Sequence, residues 1–169
     1  MARPDLSRVP AFFHKYINQV TDDEMMPALK NNTDSLEMFF KSIPVSKHNY
    51  RYADGKWTIK EVVQHMIDAE RIFSYRALCF ARKDPAPLPG FDENIFAANA
   101  KVDKRNWNDL MEEFSTVRKG TEILFSSFDE EQLESAGISN GHPNYVLGMG
   151  FICVGHCNHH RKVVEERYL

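Results

Sequence analysis

The 169-residue chain is long enough for one domain, residues 1–169, with a sizeable core. Hydrophobic residues make up 43% and charged residues 27%, an ordinary balance for a globular protein. A formal net charge of −3, with no Lys/Arg run longer than two, argues against the basic surface that nucleic-acid binding needs.

Along the chain, the opening stretch "MARPDLSRVPAFFHKYINQV" lacks the apolar core of a signal peptide. No apolar run approaches the roughly 18 residues of a membrane span, so no membrane partner is expected. The first predicted helix runs from about Thr21 to Ser42. Thr21, Asp22 and Asp23 give an acidic, cap-forming start, and Leu29, Leu36, Phe39, Phe40 and Ile43 form the apolar stripe. Pro27 falls about one turn in, and Pro44 stops the helix.

The second helix opens on the capping box of Thr58 and Glu61. Ile59, Val62, Val63, Met66, Ile72, Phe73, Ala77 and Phe80 mark its buried side. It ends before the proline-rich "DPAPLPG". The third spans about Asp103 to Phe128, with apolar residues at threes and fours from Trp107 onward. Gly120 weakens it by about 1 kcal/mol against Ala. The fourth runs from about Pro143 to Arg167, where Gly148, Gly150 and Gly155 lower helix propensity but permit close helix approach. No convincing period-2 run appears. Four helices with polar connections predict an all-α, antiparallel four-helix bundle, with up-down-up-down as the simplest order. The links 44–57 and 84–102 are long, as functional loops often are.

Three of the seven histidines crowd into "GHCNHHRKVVEERYL", residues 155–169. At about 100° per residue, His156 shares the apolar stripe with Met149, Ile152 and Val163; His160 lies about 40° away, and His159 sits at the stripe's edge. An i, i+4 histidine pair can converge on one ion. It can equally be a bland polar patch. Two imidazoles in a core need partners for their ring nitrogens, and a divalent ion would satisfy one nitrogen of each. His65, early in the second helix beside Val62, Ala69 and Ile72, is the natural third candidate. Three imidazoles plus water would make an open metal site of catalytic type. His14, His48 and His142 lack such context and are expected at surfaces or turns. The three cysteines, Cys79, Cys153 and Cys157, form no CxxC pair, so a reducing cytoplasm is the expected location.

"KWTIKEVVQHMIDAERIFSYRALCFARKDPAPLPGFDEN", residues 56–94, resembles the N-terminal signature of the DinB/YfiT-like superfamily. "GHCNHHRKVVEERYL" resembles its C-terminal one. Together they cover about a third of the chain. The resemblance implies a four-helix bundle holding a divalent metal, zinc or nickel among others, on His65, His156 and His160. It implies an activity among thiol-dependent S-transferases, a mycothiol-dependent isomerase and proteins called metal-dependent hydrolases. The family name reflects induction by DNA damage, which is regulation and not DNA chemistry. One departure stands out: members often carry Glu directly after the first histidine of the last motif, and this chain has Cys157. Helical phase turns Cys157 about 100° away from His156, so it is expected to be a bland thiol and not a substitute ligand.

The same three ligands serve two chemistries. An ion can favour the thiolate of a low-molecular-weight thiol co-substrate for attack on an electrophilic carbon, or lower the pKa of bound water for hydrolysis. The resemblance tilts the expectation towards thiol S-transfer on a small-molecule substrate. A non-catalytic metal-binding helical module is the reading from another class. Asp68 and Glu61 are within reach to orient His65, or are solvated helix charges. "PLPGFDEN" can cover a pocket mouth and deliver Asp92, or be a plain turn. Tyr52 and Trp57 can line the pocket, or simply pack. A homodimer through an exposed apolar face is open, but no face is singled out.

Overall fold

The capping box at Thr58 fixes the start of the longest helix: Thr58 Oγ1 accepts from Glu61 N at 3.2 Å, and Glu61 Oε2 accepts from Thr58 N at 2.6 Å. From it runs α3, Ile59–Ala81, in a computed structural model that describes residues 3–169. The other helices are α1 (Ala11–Ile17), α2 (Met25–Ser42), α4 (Glu93–Asn99), α5 (Trp107–Ser126), α6 (Glu130–Glu134) and α7 (Val146–Arg167). Short strands β1 (Ala136–Ser139) and β2 (His142–Tyr145) pair antiparallel before α7. No helix among the described residues is long and apolar enough to cross a membrane.

The fold is the expected all-α, four-helix bundle, built from α2, α3, α5 and α7. Each of α7 and α5 packs against both α2 and α3, so α2 and α3 occupy opposite corners. Hydrogen bonds fix the directions. Asn32 bonds Asn158 and Ser35 bonds Arg161, so α2 and α7 run parallel. Arg71 meets Glu113 and Ser74 meets Thr121, so α3 and α5 run parallel. Thr33 bonds Glu122 and Glu37 bonds Ser115, so α2 and α5 are antiparallel. Tyr168 reaches Trp57 O while His65 meets His156, so α3 and α7 are antiparallel.

The chain order is therefore up-down-down-up, which corrects the up-down-up-down order. The reason lies in residues 82–106. That link starts at the foot of α3 and returns along the bundle to the head of α5, where Lys60 Nζ donates to Arg105 O at 2.7 Å. A 20-residue helix is about 30 Å long, and this link is long enough to span it even with α4 inside.

Helix starts also shift inward. If α2 began at Thr21, the Pro27 ring would clash with a helical carbonyl four residues back. Beginning at Met25 puts Pro27 in the first turn, where no intrahelical amide is required. Asn106 caps α5 by accepting from Asp109 N at 2.8 Å, so α5 starts at Trp107 and not Asp103. Pro143 is in β2, opposite Ile138, and not at a helix start. Asn140 and Gly141 both have positive φ, 51° and 74°, which is the two-residue hairpin turn that an Asn-Gly pair favours.

Buried apolar residues fall into two clusters. One gathers Ala69, Phe73, Phe80, Phe125 and Phe151 towards the foot. The other gathers Leu36, Phe40, Val63, Leu110 and Phe114 towards the head. Between them lies a polar layer of Asn32, His65, Glu70, Arg118, Glu122 and His156, all buried.

Candidate metal centre

Capping at Thr58 sets the register that turns His65 inward, and α7 presents His156 and His160 one turn apart on the facing side. The three rings converge. His65 Nε2 lies 3.0 Å from His156 Nε2, and His160 Nε2 lies 3.1 Å from the same atom. One nitrogen from each ring falls within 4.8 Å of the other two. Burial pushes the His65 pKa down to about 4 and holds His156 and His160 well below the usual imidazole range; the neighbouring histidines push these two the same way. All three are neutral at pH 7 and keep lone pairs to offer.

Both short contacts end on His156 Nε2. A neutral ring nitrogen has one proton or one lone pair, so it serves only one of two approaching nitrogens. A cation between the rings removes that conflict, since each then offers its lone pair. Nitrogens about 2.1 Å from one ion sit roughly 3.0–3.4 Å apart at ordinary coordination angles, and the two spacings to His156 Nε2 fall in that range. The donor set fits a divalent metal.

The rings sit in a partly open cavity of about 280 Å³ with largely aromatic walls. Trp57 lies 5.0 Å from the His65 ring, while Phe73 and Tyr16 each stand edge-on to His156 at 5.6 Å. Tyr16 comes from α1, which lies close against α7 because Gly155 has no side chain: a Cβ there would sit 2.2 Å from Tyr16 O. The 82–92 link is pinned to the hairpin by Leu88 N donating to Ile138 O and Asn140 N donating to Leu88 O. That brings Phe91, Glu93 and Asn140 to the cavity.

A family model described as the DinB superfamily matches residues 28–164. The chain belongs to the DinB superfamily. No curated protein matches it. Among solved structures, it is similar to YfiT from Bacillus subtilis, described as "a probable metal-dependent hydrolase with an unusual four-helix bundle topology". The TM-score is 0.71 at 16% identity, over 97% of this chain and 90% of that one. At that identity the likeness concerns the fold.

In this DinB superfamily protein the remaining sequence candidates sort clearly. His159 is half-buried beside Tyr16 and outside the converging set. Its pKa is lowered by burial, then by Lys15 and Lys162. His48, expected at a surface or turn, lies in a turn but is buried there and stacked on Trp107 at 3.9 Å. His14 Nε2 bridges Leu6 O and Val9 O, and His142 is exposed on β2. Cys157 points into the core, where Arg118 Nη2 donates to its Sγ at 3.1 Å, and burial pushes its pKa up to about 12. Glu61 is engaged by the Thr58 cap, and Asp68 accepts from Gln64 at 2.9 Å; neither bonds His65. Asp92 caps α4, so the covering segment delivers Phe91 and Glu93 instead. Trp57 lines the cavity, whereas Tyr52 packs on Tyr168.

Sequence reasoning missed Tyr16, Arg76, Glu93 and Asn140. A signal existed for Arg76: it lies eleven residues, close to three turns, after His65. The aromatic-rich "AFFHKYI" of α1 was a weaker signal.

Proposed function

We propose that this protein is a divalent-metal-dependent enzyme that holds zinc or nickel on His65, His156 and His160 and transfers a low-molecular-weight thiol to an electrophilic small molecule. The convergence of three neutral imidazoles on an aromatic-walled cavity carries the reading. An ion bound there supplies positive charge that favours the anionic form of a thiol or of water. The rest falls to the chain's own side chains. Trp57, Phe73 and Tyr16 limit water around the three rings and give an apolar reactant a wall to pack on. Burial keeps the imidazoles unprotonated. The thiol reading is favoured because, among the described residues, no buried carboxylate lines the cavity to act as a general base for water; Cys157 stands at that place in the motif and faces away.

Hydrolysis is the second reading. Glu93, at the exposed rim, is the one carboxylate among the residues lining the cavity, and YfiT is described as a probable metal-dependent hydrolase. Metal content measured by elemental mass spectrometry on tag-free protein is expected at about one divalent ion per chain, lost in His65→Ala and in His156→Ala while helical circular dichroism persists. The loaded protein is then given thiols with alkylating electrophiles, and separately activated esters. Thiol conjugation that Glu93→Gln leaves intact supports transfer; ester cleavage that Glu93→Gln abolishes supports hydrolysis. No ion after reconstitution with zinc, nickel or manganese would sink both.

A further inference from the structure

Among the described residues, Arg76 is a buried cation without a counter-ion. It follows His65 on α3 by eleven residues, so the two side chains leave the helix within about 20° of each other and about 16 Å apart along its axis. An arginine in a helix leans back towards the N-terminus, here towards the histidines, and both residues line the same cavity. Arg76 is 4% exposed. Its Nη2 donates to Pro89 O at 2.8 Å, and no carboxylate among the described residues pairs with it. A carbonyl takes one of five donors and none of the charge. Arg118, buried more deeply still, has Glu70 Oε2 at 2.8 Å; among the described residues Arg76 has the Pro89 carbonyl and otherwise faces the cavity. Keeping an unpaired guanidinium out of water is costly.

We propose that Arg76 is the subsite for a carboxylate carried by the small molecule that occupies this cavity, whose other end lies at the three histidines. A planar guanidinium matches a carboxylate through two parallel hydrogen bonds. One cation with no lysine lining the cavity suits a monoanion better than a doubly charged phosphate, and Glu93 at the rim disfavours extra negative charge there. The aromatic walls between the two ends take an apolar body. Only the assignment of the far end rests on the metal-site reading above.

The test uses 6-mercaptohexanoate and 6-mercaptohexanamide, with hexanoate and hexanamide as thiol-free controls. Each is titrated calorimetrically into the full-length protein, as loaded with metal and after chelation. The expected result is about ten- to a hundred-fold tighter binding of each acid than its amide, with or without metal. That ratio falls to near one in Arg76→Gln and is partly kept in Arg76→Lys. If the metal reading alone fails, the thiols gain nothing over their controls while the preference for acid persists. Equal binding of acid and amide to the unmodified protein, undetectable binding of both, or a preference that Arg76→Gln leaves intact would overturn the subsite and make Arg76 a strut for Pro89. Because the unmodified protein decides the first two outcomes, a misfolded variant does not shield the proposal.

Discussion

Packing three neutral imidazoles against one another has a pH consequence. An unfolded histidine titrates near 6.5, and burial pushes His65 down to about 4. A depressed folded pKa means stability that is complete above about pH 6.5 and lost as pH falls towards 4, because only the unfolded chain takes up the proton. For His65 that amounts to about 3 kcal/mol, and His156 and His160 shift the same way. Thermal melts of metal-free protein should therefore fall steadily from pH 7 to pH 5, with a shallower fall in His65→Ala. Melts flat over that range would mean that the rings take up protons freely in the folded state. The His156/His160 pair was legible in sequence because i, i+4 spacing and the apolar phase both belong to a single helix, whereas His65 lies on another helix and joined them only as a candidate that the family resemblance supported. Arg76 kept the same phase as His65, yet arginines on helices are mostly exposed, and only the folded burial sets this one apart.

At the scale of elements, the four long helices were readable from their apolar period, and the Thr58 box gave a start correct to the residue. The smaller pieces were not. The hairpin strands have four residues each, too short for alternation to register, although the Asn140-Gly141 pair was its local signal. The α1 helix is seven residues long and owes its place to what it packs on, above all Gly155. That close approach makes Gly155→Ala an informative change. The added methyl would lie 2.2 Å from Tyr16 O and 2.4 Å from its carbonyl carbon, both backbone atoms that cannot rotate aside. The better intrinsic helix propensity of alanine offsets at most about 1 kcal/mol. Chemical denaturation should show a net loss of about 1–3 kcal/mol. Amide exchange should quicken over 11–17 while α3 and α5 stay protected. Unchanged stability with an undisturbed α1 would show that the two helices part without cost.

For the whole molecule, periodicity located each of the four long helices but carried no information on which neighbour it meets, so the order of directions had to come from the fold. The same holds for the polar layer that divides the core. Glu70 and Arg118 come from α3 and α5, 2% and 0% exposed, and touch at 2.8 Å. Burial pushes the Glu70 carboxyl up, and the adjacent guanidinium works against that shift. Burial works to lower the Arg118 pKa, and Glu70 together with Cys157, Cys153 and Glu122 outweighs it, so the guanidinium holds its proton. Neither Glu70 oxygen reaches hydrogen-bond geometry, and Arg118 Nε and Nη1 find no partner among the described residues. Coulomb attraction in so poorly satisfied a pair does not repay removing both charges from water. Arg118→Met alone should cost about 3–5 kcal/mol in urea denaturation, since it strands a buried carboxylate. Glu70→Leu combined with Arg118→Met should recover that loss and reach or exceed the parent by up to about 4 kcal/mol, as buried pairs replaced by apolar side chains of similar volume do. A double variant as unstable as the single one would mean that the pair stabilises the bundle after all. Recovery would place the reason for keeping the pair elsewhere. Arg118 also holds Cys157, the residue after His156, at 3.1 Å, so the charge layer and the histidine layer share one turn of α7.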